Sequence, residues 1–142
     1  MQFEYKVEAG DFSNAGVASS EVKKILKQLN VDFKVIKRVV VALYEAEVNI
    51  VAHDYKGMIY VAIDKEKIVI KLIDEGPGIP DIAQAMQEGY STASQQVREM
   101  GFGAGMGLAN IKRNVDKLTI SSEVGVGTSI EMMNYLDGRI VE

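Results

Sequence analysis

The chain has 142 residues, enough for one domain with a proper hydrophobic core but too few for two. Sixteen Lys and Arg residues against twenty Asp and Glu give a net charge of −4, so nothing in the charge suggests a nucleic-acid partner. The absence of cysteine and the presence of a single histidine, His53, exclude disulfides, thiolate metal sites and a multi-histidine zinc site.

The first half of the chain is expected to hold one strand and two helices. Apolar and polar residues alternate over 3–7, which predicts a half-buried strand that Gly10 ends. A helix reaching about Leu29 follows, and a longer one runs from Phe33, with Asp32 as its cap, to about Tyr55. The first helix has three candidate capping residues, which are Asp11, Ser13 and Asn14.

The second half is expected to hold two strand pairs, one helix and a long segment of weak periodicity. The strands cover 58–63, 67–73, 118–124 and 128–135, and the helix runs from about 106 to 117. The segment 74–107 holds more than half of the glycines and both prolines, with only a short helical piece near 81–87. A long, weakly structured segment inside a compact domain is usually functional.

This order of elements predicts an α/β two-layer sandwich. Adjacent strands are joined as hairpins, so the sheet should be mixed but largely antiparallel, with the helices covering one face. No repeat and no low-complexity tail interrupts the pattern, and we expect residues 1–142 to form one domain.

The long helix carries a polar pair on one face. Glu45 and Asn49 stand four residues apart, together with the small residues Ala42 and Ala52. A carboxylate can accept a proton, and a carboxamide oxygen can bind a hard cation such as Mg²⁺. The alternative is a solvated polar face with an incidental pair. Glu47 falls on the apolar side of the helix, where an apolar residue is expected.

A second motif follows the apolar strand 68–72. An Asp at the end of such a strand needs a partner, and the exocyclic amine of adenine could donate to Asp74. Gly76 and Gly78 would let the backbone approach a flat base closely. An ordinary turn is the alternative, since Asp, Gly and Pro are common turn residues.

Two further glycine-rich segments complete the set. Residues 101–107 lead directly into a helix, whose N-terminal N–H groups favour anions such as a phosphate chain. The segment 125–128 ends in Thr128, whose hydroxyl could bind a base. A flexible glycine hinge and a plain hairpin turn are the respective alternatives. The chain contains no Gly-Lys pair, so a Walker A loop is excluded.

In this order the four motifs resemble the sequence boxes of the Bergerat ATPase superfamily, which includes gyrases, heat-shock chaperones, histidine kinases and mismatch-repair proteins. The resemblance covers about residues 38–132. Within the superfamily, the chain resembles the small bacterial anti-sigma-factor serine/threonine kinases and related switch kinases, particularly in the helix motif 45–53.

The resemblance implies a role for each motif residue. Asn49 matches the Mg²⁺ ligand, and Glu45 matches the catalytic base. Glu45 is preferred to Glu47 because of its spacing to Asn49. Asp74 matches the adenine anchor and Thr128 the second adenine contact. The matching glycines lie beneath the base and beside the phosphates, and they are Gly76, Gly78, Gly103, Gly105 and Gly107. A lid over the phosphates is expected at about 79–104. Its residues Ser91, Thr92 and Arg98 have no assigned role.

We therefore expect an ATP- and Mg²⁺-dependent protein kinase that acts on a regulatory protein. It would phosphorylate a Ser or Thr of that protein, sequester that protein or a sigma factor, or do both. The resemblance also implies a homodimer. Three alternatives remain open. They are a non-catalytic ATP-binding switch module, a histidine-kinase-like catalytic domain acting on a separate partner, and a glycine-rich domain without nucleotide. We further expect a cytoplasmic protein without membrane or nucleic-acid partners, because the sequence shows no signal peptide and no run of about 18 apolar residues.

Overall fold

The structure is a computed structural model, and it describes residues 1–8, 10–52, 56–76 and 107–137. Three helices, five strands and a short 3₁₀ turn lie in these ranges. They are β1 (Gln2–Val7), the 3₁₀ turn (Phe12–Asn14), α1 (Val17–Gln28), α2 (Phe33–Ala52), β2 (Gly57–Ile63), β3 (Lys67–Asp74), α3 (Gly107–Asn114), β4 (Lys117–Glu123) and β5 (Gly127–Tyr135). Most predicted bounds that fall on described residues agree within one or two residues. The exceptions are the end of α3, which lies at Asn114 because Lys117 already belongs to β4, and the start of α1 at Val17. The predicted end of α2 at about Tyr55 lies outside the described residues.

The five strands form one sheet in the order β1-β2-β3-β5-β4, and each of the four described neighbouring pairs is antiparallel. The expected two-layer sandwich is thereby confirmed, with an antiparallel sheet in the described residues. The register places Asp74, the last residue of β3, opposite Gly57 of β2 and Thr128 of β5. One end of the sheet thus brings together residues that are more than fifty positions apart in sequence.

The helices cover one face of the sheet because buried apolar residues alternate with more exposed residues along the strands. Every second residue of β2 and β3 is buried, as Ile59 and Ile70 illustrate, while neighbours such as Tyr60 and Lys71 are exposed. The buried residues pack against the apolar sides of α1 and α2 in a single core. No helix in the described parts of the chain is long and apolar enough to cross a membrane.

The helix α2 lies between the other two helices and fixes their positions. Its partner α3 runs antiparallel to it, since Arg38 forms an ion pair of 3.0 Å with Asp116 and Glu45 contacts Asn110. The start of α2 is capped as expected, because the Asp32 carboxylate accepts a hydrogen bond of 2.8 Å from the main-chain N–H of Lys34.

The start of α1 differs from the prediction. Asp11 instead accepts hydrogen bonds from the side chains of Ser13 and Asn14 within the 3₁₀ turn. The bonds from Asn14 and then Ser13 lower the pKa of the Asp11 carboxyl. Gly16, with φ 96°, immediately precedes α1 and has no side chain to cap it. The prediction of Asp11, Ser13 or Asn14 as the cap is therefore wrong.

Candidate functional site

The polar pair of α2 faces α3, the helix that follows the glycine-rich segment. Glu45 is partly exposed, and its Oε1 accepts a hydrogen bond of 3.2 Å from Nδ2 of Asn110. Ala42, on the same face, is buried, and the small side chain lets the two helices approach. The pair is consequently part of a helix interface and not a freely solvated face.

Asn49 lies beside the first residue of α3. A Cβ atom built on Gly107 would be 3.8 Å from Oδ1 of Asn49 and 3.9 Å from its Nδ2. The side-chain amide therefore contacts the end of α3 at which the main-chain N–H groups have no partner within the helix. The partial positive charge of a helix N-terminus favours an anion, and an amide oxygen can bind a cation that accompanies it.

The end of β3 forms a second polar group. Oδ1 of Asp74 accepts hydrogen bonds from the main-chain N–H of Gly76, at 2.9 Å, and of Thr128, at 3.2 Å. These two protein donors hold the carboxylate at the end of β3, the central strand of the sheet, where it is partly exposed. The partner that a strand-end Asp requires is thus supplied in part by the protein itself.

The β4–β5 turn supports this group closely. Gly127 has φ 149°, and a Cβ atom there would clash with the main-chain oxygen of Asp74. The hydroxyl of Thr128, a buried residue, shares a hydrogen bond of 3.0 Å with that of Ser122. The glycine thus permits the close approach that lets the N–H of Thr128 reach Asp74.

The two polar groups are connected through the packing of α2 on the sheet. Ile50 directly follows Asn49, and its Cδ1 lies 3.3 Å from the position a Cβ atom would take on Gly57. Gly57 in turn pairs with Asp74 in the sheet. Since a side chain on Gly57 would also come within 2.8 Å of the main-chain oxygen of Ile73, this glycine allows α2 to pack close to the end of β3.

Glu47 occupies a different side of α2 from Glu45. It is buried, and its two carboxylate oxygens accept hydrogen bonds of 3.1 and 3.2 Å from the main-chain N–H groups of Ala18 and Ser19. The hydroxyl of Ser19 donates a third bond of 3.2 Å. This carboxylate therefore caps α1 and is engaged there, which explains the acidic residue found among apolar neighbours.

Several predicted residues lie outside the described part of the chain. Gly78, Gly103 and Gly105 are among them, as is the whole expected lid, 79–104, with the helical piece 81–87. The remaining ones are His53, Ser91, Thr92 and Arg98. Their sequence-based assignments stay predictions.

Two polar residues of the site were not predicted, Asn110 and Ser122. Asn110 lies three residues after Gly107, on the first turns of α3, so helical spacing beyond the glycine segment would have indicated it. Ser122 becomes a neighbour of Thr128 only through the β4–β5 register. The alternating pattern of β4 places it on the partly buried side, but no local signal distinguishes it from the serine beside it.

The donor set fits a cation that is held jointly with a phosphate. No group of three His, Cys, Asp or Glu side chains that could hold a metal occurs among the described residues. Mg²⁺ in nucleotide sites is commonly bound through one or two protein oxygens together with phosphate oxygens and water. Asn49 of α2, which lies beside the N-terminus of α3, would hold such an ion, and the ion would neutralise phosphate charge when bound.

Known proteins resemble this chain over most of its length. The family described as histidine kinase-like ATPase domain matches residues 11–133. The chain is 33% identical over 128 residues to "Anti-sigma F factor" of Thermoanaerobacter sp. (strain X514), covering 87% of this chain and 86% of that one. It is 36% identical over 103 residues to "Serine/threonine-protein kinase RsbT" of Bacillus subtilis (strain 168), covering 70% and 71%.

A solved structure has the same fold. It is described as the RsbU and RsbW domains of Rv1364c from Mycobacterium tuberculosis, and the match has a TM-score of 0.64 at 17% sequence identity. The whole of this chain corresponds to 34% of that longer chain. At this identity the match supports the fold alone.

Proposed function

Because the chain belongs to the histidine kinase-like ATPase domain family, we propose that its two connected polar groups bind the two ends of one ATP molecule. Its relatives include anti-sigma F factors and a serine/threonine-protein kinase, and their names support a switch protein kinase of anti-sigma type. The observation that carries the proposal is the position of Asn49 against Gly107, at the N-terminus of α3.

In this proposal Asp74 binds the adenine. The N–H groups of Gly76 and Thr128 orient its carboxylate, which then accepts a hydrogen bond from the exocyclic amine of the base. Thr128 provides the second contact to the base, and Gly78 forms the turn beneath it. The phosphates extend toward α3, beside Gly103, Gly105 and Gly107, with Mg²⁺ bound to Asn49.

Phosphoryl transfer needs positioning and charge neutralisation more than covalent chemistry from the protein. Glu45 is proposed to accept the proton of the attacking Ser or Thr hydroxyl. Its hydrogen bond from Asn110 holds the carboxylate on the same helix face as Asn49, one turn away. Glu47 cannot take this role in the observed arrangement without giving up the three bonds by which it caps α1.

The proposed acceptor is a Ser or Thr of a regulatory protein. The kinase phosphorylates this protein or sequesters it, and it does so in the cytoplasm, where ATP is available.

We further propose that the protein acts as a homodimer, as the resemblance implies, and that residues 79–104 form a lid over the phosphates. Light scattering of the purified protein tests the dimer. Slower hydrogen exchange of 79–104 on adding ATP and Mg²⁺ tests the lid, and equal exchange with and without nucleotide would argue against it.

A titration with ATP and Mg²⁺ tests the adenine assignment. Replacing Asp74 by Asn removes a charged acceptor worth about 1.5–3 kcal/mol, so affinity should fall roughly ten- to a hundredfold. Asp64→Asn is the matched control, because Asp64 also accepts two main-chain N–H bonds, at the opposite end of β3. Equal affinity of the Asp74 variant and the wild type would refute the assignment.

Transfer itself is tested by incubating the protein with labelled ATP and lysate of the source cell. A single labelled acceptor, absent when Glu45 is replaced by Ala, is the expected result. If ATP binds but no protein is ever labelled, the alternative of a non-catalytic ATP-dependent switch module takes the place of the kinase.

A further inference from the structure

The outer side of the α1–α2 hairpin is strongly basic, although the chain as a whole is acidic. Five lysines lie between residues 17 and 37, against only two acids, Glu21 and Asp32, while the net charge of the protein is −4. All five are exposed, and they are Lys23, Lys24, Lys27, Lys34 and Lys37. In the described part of the chain none of them lies within 4 Å of a carboxylate. The hairpin is thus a concentrated and unneutralised positive region.

The same side of α2 exposes apolar side chains where polar ones are usual. Phe33 is 65% exposed and Tyr44 is 45% exposed, and Lys37 and the half-buried Val41 lie between them on the same face of the helix. Leu29, in the connection before α2, is 44% exposed. Aromatic side chains that stay in water are characteristic anchors of protein–protein interfaces.

The exposed lysines of α1 and the exposed apolar side chains of α2 border one another. Ser19 contacts Glu47 of α2, so the edge of α1 that carries Ser19 faces α2. Lys23 and Lys27 follow Ser19 at four-residue intervals and therefore continue along that edge. The ring of Tyr44 lies against Gly16, where a Cβ atom would be 3.1 Å from Cε2. Lysines of α1 and aromatic residues of α2 thus form one continuous surface.

We propose that this hairpin face, formed by Lys23, Lys27, Leu29, Phe33, Lys37 and Tyr44, docks an acidic segment of a protein partner that carries aromatic or aliphatic side chains. The lysines attract the acidic groups over a distance, and the apolar residues bury their counterparts once contact is made. A nucleic acid matches the lysines but leaves Leu29 and Phe33 without partners, and the negative charge of the whole chain repels it. The inference rests on the proposed function, because it supplies the docking site of the regulatory partner.

The test follows the amide signals of labelled protein by NMR during titration with a synthetic peptide of Glu and Asp residues interspersed with Leu and Phe. We expect the signals of α1 and α2 to shift, and the same peptide with Ser in place of Leu and Phe to bind more weakly. Lys23→Glu, Lys27→Glu and Lys37→Glu together should lower the affinity on the order of tenfold or more, and added salt should act in the same direction.

The matched control instead reverses three exposed lysines of the strands and the β2–β3 turn, Lys65, Lys71 and Lys117, which changes the net charge equally. This control should keep the peptide affinity near that of the wild type. An equal loss in both triple variants, shifts confined to other elements, or tighter binding of duplex DNA or of phosphatidylserine vesicles would overturn the proposal. ATP titration of the wild-type protein separates the two ideas. If the wild type binds ATP but not the peptide, only the docking surface is refuted, whereas if it binds the peptide but not ATP, only the nucleotide site is refuted.

Discussion

The carboxylate of Glu47 accepts two hydrogen bonds from Ser19, one from its main-chain N–H and one from its hydroxyl, across 28 positions of sequence. A third bond comes from the N–H of Ala18. The residue that caps α1 is therefore contributed by α2. This side chain adds to the core packing that holds α1 against the helix that also carries Glu45 and Asn49.

Replacing Glu47 by Ala should lower the free energy of unfolding by about 1–3 kcal/mol, because it leaves buried N–H donors without an acceptor. Glu47→Gln should cost less, since one carbonyl oxygen still accepts. Urea denaturation measures both. The exposed Glu131, replaced by Ala, is the control and should change stability by less than about 0.5 kcal/mol. If the Glu47 variant were as stable as the wild type, the cap would not contribute to stability.

Substitutions of Glu45 and Asn49, one turn apart on α2, should separate nucleotide binding from phosphoryl transfer. Glu45→Ala should leave ATP affinity near that of the wild type while reducing transfer about 10²–10⁴-fold, as expected for loss of a general base. Asn49→Ala should weaken ATP binding and transfer together, because it removes the proposed Mg²⁺ ligand. Nucleotide titration and single-turnover transfer distinguish these patterns.

The Glu47→Gln variant is the appropriate comparison for those two. It keeps one accepting oxygen for the cap of α1 and should retain transfer in the folded fraction. Loss of transfer in folded Glu47→Gln, with normal transfer in Glu45→Ala, would show that the base had been assigned to the wrong carboxylate.

Two glycines where β4 connects to β5, Gly125 and Gly127, allow a matched pair of substitutions. Gly125 has φ 85° and open space around a Cβ atom, so Gly125→Ala should cost only about 1–2 kcal/mol of backbone strain. Gly127→Ala adds the clash with the Asp74 main-chain oxygen and should cost at least about 1 kcal/mol more. It should also weaken ATP binding, since Asp74 must move. Thermal denaturation and ATP titration check both variants, and equal behaviour would contradict the close approach.

Tyr5 should make the protein sensitive to alkaline pH. Burial, a hydrogen bond with Glu21 and the negative charges of Glu21 and Glu47 raise its pKa from 10.0 to about 12. The unfolded chain ionises first, so this contribution to stability is complete below pH 10.0 and is lost as the pH rises toward about 12. Denaturation of wild type and Tyr5→Phe across this range tests it.

The control for this measurement is Tyr60→Phe, on the opposite face of the sheet. The Tyr5 variant should lose less stability than the wild type and the control between neutral and alkaline pH. Parallel curves for all three proteins would show that Tyr5 does not contribute to the loss.

Local sequence patterns determined most of the elements and the general location of the site. Alternation in the strands, the 3.6-residue period of α2 and the glycine-rich turns have local physical causes, so the sheet strands, the pair Glu45 and Asn49, and Asp74 at a strand end could be predicted. The roles assigned to them still await the experiments above.

Only the tertiary structure decided which distant groups meet. The strand register places Thr128 against Asp74, and helix packing places Gly107 against Asn49. Local propensity favoured Asp11, Ser13 or Asn14 as the cap of α1, but those side chains bond to one another, and the buried Glu47 takes their place. An acid on the apolar side of α2 has a partner only once α1 packs there, because its hydrogen-bond donors come from a helix that the local sequence of α2 does not contain.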